Sequence, residues 1–459
     1  MNLSVFHIVV MLATVFSVIA SGLCAARSVR SSEGYALSGR SAGVPMIAGS
    51  IAGTIVGGGA TVGTAQLAYT CGLSAWWFTL GSGIAFIIMG LFYASRLRGT
   101  GLATIPEFLA AHYGTRAEEA SSLIASAGMF FSVVASTLPG IQILSAFFGV
   151  SHAAAAAILA VLVMGYTFFG GMKSAGIGGI LKMGIIFFAL FAAGFSAFHG
   201  LLSMNDFSAV FPDTPWLSLF GAGTDTALAS LFSVVVGILC TQTYVQAVFS
   251  AATPWEAAAG CFTAAAVTIP VGLPSVAIGM YMRAFDPNVL PVLVLPSYLI
   301  SHESEWLAGI ALGGILLSLI GSIGGLSLGI GTMIARDMAG EIFHIKNDKM
   351  LLRITKGAVL VVLIAASLVS AANAGSQVLF WNYLSMALRG GGIFLPLSLA
   401  IFRPGLIPKS WALASMLLST AVSLFLTFFP VFSVNPLFAG LAVSAAVLAA
   451  GFLSVKTQK

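Results

Sequence analysis

The chain has 459 residues, of which 59% are hydrophobic and only 7% charged, with a formal net charge of +5. Soluble domains carry about 25% charged residues, so this composition excludes a water-soluble enzyme or a nucleic-acid-binding domain. It specifies a polytopic membrane protein, an all-α chain whose surroundings are the lipid bilayer. About 20 apolar residues cross the hydrocarbon layer. Thirteen such segments are predicted, at 3–24, 43–71, 74–97, 119–149, 152–171, 177–202, 226–251, 256–283, 305–335, 352–373, 378–402, 411–429 and 435–454.

The first segment has no basic residue before its apolar core, and Arg27 and Arg30 follow it. That pattern fits an uncleaved span with its N-terminus outside better than a signal peptide cleaved after Ala25 or Ala26. Thirteen spans then leave the C-terminus in the cytoplasm. Of the 19 basic residues only Arg283 falls at an outer connection, while Lys182 and Arg389 lie within spans. The others, Lys346, Lys456 and Lys459 among them, fall on the cytoplasmic side, and Asp206, Asp213, Asp225, Asp286, Glu303 and Glu305 fall outside. This is the positive-inside pattern, so the net charge reports topology in a plasma membrane and not nucleic-acid binding. The short loops suit a bacterial inner membrane. Cys24, Cys71, Cys240 and Cys261 have no metal-type spacing and lie in or at the ends of spans, where they are expected reduced and packed.

The second span carries Gly53, Gly57, Gly58, Gly59 and Gly63 in its middle. Each glycine costs a helix roughly 1 kcal/mol relative to alanine, and irregular backbone at membrane depth survives only beside a cavity or buried in protein. The seventh span changes from apolar (VVVGILC) to polar (TQTYVQ) around Gly237. Five spans separate the two breaks, an odd number, so two halves of opposite topology are expected. The expected divisions are an N-terminal helix and loop at 1–42, a first five-helix repeat at 43–202, a second at 226–402, and two C-terminal helices at 403–459. The fourth and ninth spans correspond under the same shift. Both are rich in serine, which suits sliding contacts or simply close helix packing.

Four motifs resemble those of the sodium:solute symporter family, which has a LeuT-type five-plus-five inverted repeat. They are YALSGRSAG at 35–43, GGGATVGTAQLAYTCGLSAWW at 57–77, RLRGTGLATIPEFLAAHYG at 96–114 and YTFFGGMKSAG at 166–176; Ala335-Arg336-Asp337 stands where the family often has Thr-Arg-Asp. The resemblance implies a Na⁺ ion between the broken second span and the ninth. Its ligands would be the carbonyls of Ala52 and Ile55 and the matching positions Ser318, Gly321 and Ser322. Gly321 departs from the usual serine there. A second departure lies in the sixth span, where a run with one acidic residue is usual and Gly178, Gly179, Ile180, Leu181 and Lys182 stand instead.

A charge at the centre of a transmembrane helix costs at least about 2.5–3.5 kcal/mol. Lys182 therefore either snorkels to the cytoplasmic interface or stands in for the coupling cation. Arg389, beside Gly390, Gly391 and Gly392, is expected to bind the carboxylate of a small solute bidentately, to cap carbonyls at the glycine break, or to reach cytoplasmic water. Gln66, Tyr69, Thr241 and Gln242, with Thr243, Tyr244 and Gln246, are the candidate solute wall. Glu107 and His112 suit helix capping or gate positioning, and nothing resembles a nucleophile–base pair. The expectation is a Na⁺-coupled symporter for a small polar, carboxylate-bearing solute. The alternatives are Na⁺-independent or proton-coupled uptake through Lys182, and a transporter-like solute sensor.

Overall fold

A computed structural model describes residues 3–26, 32–167, 171–340, 344–345, 347–429 and 434–456. Arg27, Arg30, Lys346, Lys459 and residues 168–170 of the fourth motif lie outside them, as do the side chains of Cys24 and Lys456. The described apolar stretches are helical apart from the breaks at Val56–Gly58 and Cys240–Thr241, as backbone must be where no water satisfies it. Helix α1 (Val5–Ala26) precedes a first set: α2 (Val44–Ile55), α3 (Thr64–Cys71), α4 (Trp77–Ile88), α5 (Ile105–Tyr113), α6 (Thr115–Phe148), α7 (His152–Thr167) and α8 (Gly171–Leu202). A second set follows: α9 (Thr224–Leu239), α10 (Gln242–Phe249), α11 (Pro254–Phe285), α12 (Val294–His302), α13 (Glu305–Met333), α14 (Asp348–Ala372) and α15 (Val378–Phe402). Helices α16 (Lys409–Phe428) and α17 (Pro436–Lys456) end the chain. The two sets have the same succession of elements: a broken pair, a long helix, a nine-residue helix, then three long helices.

Among the described residues nine helical stretches are long and apolar enough to cross a membrane, or ten if the bent pair α9–α10 forms one span. One of the nine, Gly59–Gly99, runs for 41 residues. At 1.5 Å per residue that is about 60 Å, twice the hydrocarbon thickness of about 30 Å. Gly72 (φ 60°, ψ −133°) turns the chain within it, so it closes the second predicted span and supplies the third. With that stretch divided, the bent pair joined, and the shorter apolar α1 and α7 added, each predicted span has a counterpart.

Local sequence sets the ends. Thr104 and Thr253 cap α5 and α11, accepting from the amides of Glu107 and Glu256, and proline follows each cap within two residues. This is the Ser/Thr-x-x-Glu start signal. Two ends of the bundle differ in charge. Arg40, Arg98, Thr104 and Asp337 meet at one, the basic end; Tyr69, Asp286 and Glu303 lie at the other.

The packing that matters most is glycine on glycine. A Cβ on Gly179 of α8 would lie 2.0 Å from the Gly49 carbonyl oxygen of α2, so the two backbones touch. Gly49-Ser-Ile-Ala-Gly53 is the small-xxx-small pattern that permits such an approach. The seam brings the next turn of α8, with Lys182, onto the broken end of α2.

Candidate functional site

Helix α2 ends at Ile55, and Val56 leaves the helical region (φ −78°, ψ 72°) before a π turn at Gly59–Gly63 leads into α3. The break turns the carbonyls of Gly53, Thr54 and Val56 toward α8 and α13. Lys182 Nζ donates to the Gly53 carbonyl and, at 3.1 Å, to that of Ser318. Ser318 Oγ donates to the Val56 carbonyl and Ser322 Oγ to that of Thr54. The side chain of Lys182 is buried, 1% exposed, and does not reach the interface. A Cβ on Gly321 would stand 3.0 Å from Lys182 Nζ. The glycine therefore leaves the room that the ammonium fills.

The predicted ligand carbonyls are placed differently. Ala52 oxygen accepts from Val56 N at 2.9 Å and Ile55 oxygen from Gly57 N at 2.8 Å, both within the α2 terminus. Ser318, Gly321 and Ser322 do face the break. Sequence reasoning missed Gly53, Thr54 and Val56, because motif matching fixes the broken turn only to within a residue or so.

The second break lies at Cys240–Thr241, three residues beyond Gly237, with a 44° bend between α9 and α10. Arg389, fully buried, donates from Nε to the Gly237 carbonyl at 3.2 Å and from Nη1 to Ser385 Oγ at 2.7 Å. Thr241 Oγ1 donates to the same Gly237 carbonyl at 2.7 Å. Ser385 Oγ reaches α6 through the Gly128 carbonyl and, at 2.7 Å, Ser132 Oγ. Among the described residues no carboxylate pairs with Lys182 or Arg389.

The polar residues near the breaks divide between the two ends. Gln66 accepts from Val378 N at 3.1 Å, and Tyr69 donates to the Asp286 carbonyl at 3.4 Å with Arg283 over its ring. Gln242 instead holds the 103–105 loop, donating to the Ala103 carbonyl and accepting from Ile105 N. Gln246 donates to the Ala36 carbonyl and to Thr332 Oγ1, and Thr243 to the Gly325 carbonyl. Tyr244 packs edge-on against Phe86.

With the Thr104–Asp337 hydrogen bond at 2.7 Å, and Ala42 bonded on both sides to the 250–252 segment, these contacts seal the basic end. Thr104 and Asp337 sit in two quoted motifs, yet sequence alone did not join them. Glu107 accepts from Ala103 N at 2.7 Å, the capping role expected of it.

The sequence profile of the sodium:solute symporter family matches residues 35–419. Over 361 residues the chain is 26% identical to high-affinity choline transporter 1 of Drosophila melanogaster, covering 74% of this chain and 57% of that one. It spans about half the length of the curated relatives it matches. Among solved structures it resembles an outward-open Na⁺-coupled sialic acid symporter (TM-score 0.81, 16% identity, 99% of this chain and 98% of that chain). It also resembles inward-facing Mhp1 (TM-score 0.52, 13% identity, 90% of this chain and 91% of that one). At these identities the likeness shows the fold: a LeuT-type helical transporter core.

Proposed function

Because the chain belongs to the sodium:solute symporter family, we propose that it is a secondary transporter for a small polar solute in which the ammonium of Lys182 serves as the cation at the broken second span. One observation carries this reading: Lys182 Nζ lies between the Gly53 and Ser318 carbonyls, in the room that Gly321 leaves open. A hard cation needs several oxygens, and unwound backbone with serine hydroxyls supplies them. An ammonium makes the same demand with three donors. Unlike Na⁺, it cannot leave with the solute, but it can give up its proton and so link the break to pH.

Titratable groups near Lys182 are few. Helix α2 has none, and α13 carries only Glu305 at its far end. Helix α8 adds Lys173 and His199 near its termini, α11 adds Glu256, Cys261, Tyr281 and Arg283, and α1 adds His7, bonded to Ser4, and Cys24, whose side chain is not described. The Tyr166 hydroxyl of α7 packs against Gly178, one turn before Lys182, and Tyr35 packs against Gly171.

The solute is a carboxylate-bearing molecule. Carboxylates of the core helices sit at their ends, whereas Lys182 and Arg389 place positive charge at depth. An anionic or zwitterionic solute is favoured there over a quaternary ammonium such as the choline of the relatives. Following the positive-inside pattern, the basic end faces the cytoplasm and the N-terminus the outside.

A second reading, Na⁺ coupling at the same place, is favoured by the Ser318 and Ser322 hydroxyls and by the family. It requires Lys182 to withdraw from Gly53.

The test is uptake into proteoliposomes, with thermal stabilisation alongside, across small carboxylates, amino acids, sugars and choline. Each is run in Na⁺ and in N-methylglucamine at two pH values. Stabilisation by a carboxylate that ignores Na⁺ but follows pH, and is lost in Lys182→Ala, is expected. Stabilisation only in Na⁺ would establish the second reading instead.

A further inference from the structure

Lys182 has a counterpart. It stands 11 residues after Gly171, the start of α8, and Arg389 stands 11 residues after Val378, the start of α15. Each bonds the carbonyl of a glycine two residues before the end of a half-helix: Gly53 before Ile55 in α2, Gly237 before Leu239 in α9. Each also engages the same third partner under the five-span shift. Lys182 reaches α13 directly through the Ser318 carbonyl, and Arg389 reaches α6 through Ser385 Oγ. The second, eighth and thirteenth helices on one side thus answer to the ninth, fifteenth and sixth on the other.

Resting on the Lys182 reading, we propose that Arg389 is a second tethered cation, filling a latent binding site for a monovalent inorganic cation that is the pseudo-symmetric partner of the Lys182 position. The oxygens around its guanidinium are neutral: the Gly237 carbonyl, Ser385 Oγ and, one bond further, the Gly128 carbonyl, Ser132 Oγ and Thr241 Oγ1. Such a set of carbonyls and hydroxyls suits Na⁺ or K⁺, and also a side-chain cation. Both half-helices present their carbonyl ends, where the macrodipole is negative, to a buried positive charge.

The two plugs differ in one chemical respect. An ammonium loses its proton within the reach of ordinary buffers, whereas a guanidinium does not. The α9 end is therefore held permanently. This role also accounts for Arg389 without a solute carboxylate: Nε and Nη1 are already committed to the protein.

The experiment measures radiolabelled Na⁺ binding to the purified full chain at near-neutral pH, with N-methylglucamine as the replacement cation. The unsubstituted protein is expected to bind none. Arg389→Ala, which empties the site, is expected to rise to about one Na⁺ per chain with a matching Na⁺-dependent thermal stabilisation, while Arg389→Lys remains free of Na⁺.

Arg389→Lys also serves if the alanine variant does not fold. Its ammonium can be titrated away, so Na⁺ binding should exceed that of the parent at the same alkaline pH. A folded Arg389→Ala that binds no Na⁺, or an Arg389→Lys that never exceeds the parent, overturns the proposal. Saturable Na⁺ binding by the unsubstituted protein, lost in Ser322→Ala, would instead overturn the Lys182 reading on which it rests.

Discussion

Lys182 and Arg389 occupy equivalent places in the two halves of the molecule, each donating to a glycine carbonyl two residues before a half-helix ends. The fold therefore carries a basic side chain at both of its breaks. Four expectations follow from this arrangement and from the packing around it.

Replacing Lys182 with methionine takes the donor from the Gly53 carbonyl at the break, whereas the Ser318 carbonyl keeps its partner within α13. Each buried acceptor left unsatisfied costs about 1–3 kcal/mol, so Lys182→Met should unfold more readily than its parent in Na⁺-free buffer. The vacated oxygens should then accept Na⁺, and a ligand at a hundred times its Kd restores about 2.7 kcal/mol. Thermal unfolding with and without Na⁺ reads both effects. A variant as stable as the parent and indifferent to Na⁺ contradicts the assignment.

At the basic end, Thr104→Val removes the donor to Asp337 Oδ1 and, with it, the cap that accepts from the Glu107 amide. The carboxylate is left buried at a cost of about 1–3 kcal/mol, which favours states with this end open. Ala103 is buried in the sealed structure. A cysteine placed there should react with a thiol reagent supplied from that side about 5–150-fold faster in the Thr104→Val background. Equal rates would show that the hydrogen bond does not hold the seal.

The glycine-rich break is needed for closeness and not merely for flexibility. A Cβ on Gly57 would lie 2.0 Å from Ser322 Oγ, whereas a Cβ on Gly165 of α7 meets nothing within 4 Å. Gly57→Ala should destabilise by about 1–3 kcal/mol or more through overpacking. Gly165→Ala should be neutral or stabilising by up to about 1 kcal/mol. Unfolding midpoints compare the two, and similar costs would remove the packing argument.

Glu303 lies at the acidic end, outside the spans, where Tyr298 donates to it. Burial raises its pKa above the ordinary carboxylate value, against smaller opposing effects from Ser196, Tyr298 and His302. The folded protein therefore binds the proton more tightly than the unfolded chain does. Stability from this group is present below the ordinary carboxylate value and is lost as pH rises through the raised one. In Glu303→Gln that decline should disappear, so parent and variant should differ in the slope of unfolding midpoint against pH across this window. Parallel profiles would refute the assignment.

Much of the architecture was legible because hydropathy is a local property. The thirteen apolar segments follow from the runs of apolar residues along the chain, and the separation of basic from acidic ends follows from the loops. The two buried basic residues stood out for the same reason, since charge inside a span is costly enough to demand an explanation. The partners of those residues were less accessible. Motif matching pointed to Ala52 and Ile55, but their carbonyls bond within the α2 terminus, and Gly53, Thr54 and Val56 turn outward instead. Gly237 marked the second break, yet the chain stays helical to Leu239 and the glycine supplies the carbonyl that Arg389 caps. Gln242 and Gln246 were expected near the solute, and the structure turns both toward the basic-end seal.

The sequence by itself determined that this chain spans a membrane many times, where it breaks, and that an ammonium and a guanidinium fall within its spans. Only the tertiary structure decided what those charges touch. Glycines 49, 53 and 179 let α2 and α8 approach backbone to backbone, and that distance sets Lys182 on the Gly53 carbonyl where a longer separation would have let it reach water. Hydrophobicity is summed along a helix, whereas a hydrogen-bond partner is selected by the register between helices far apart in the chain.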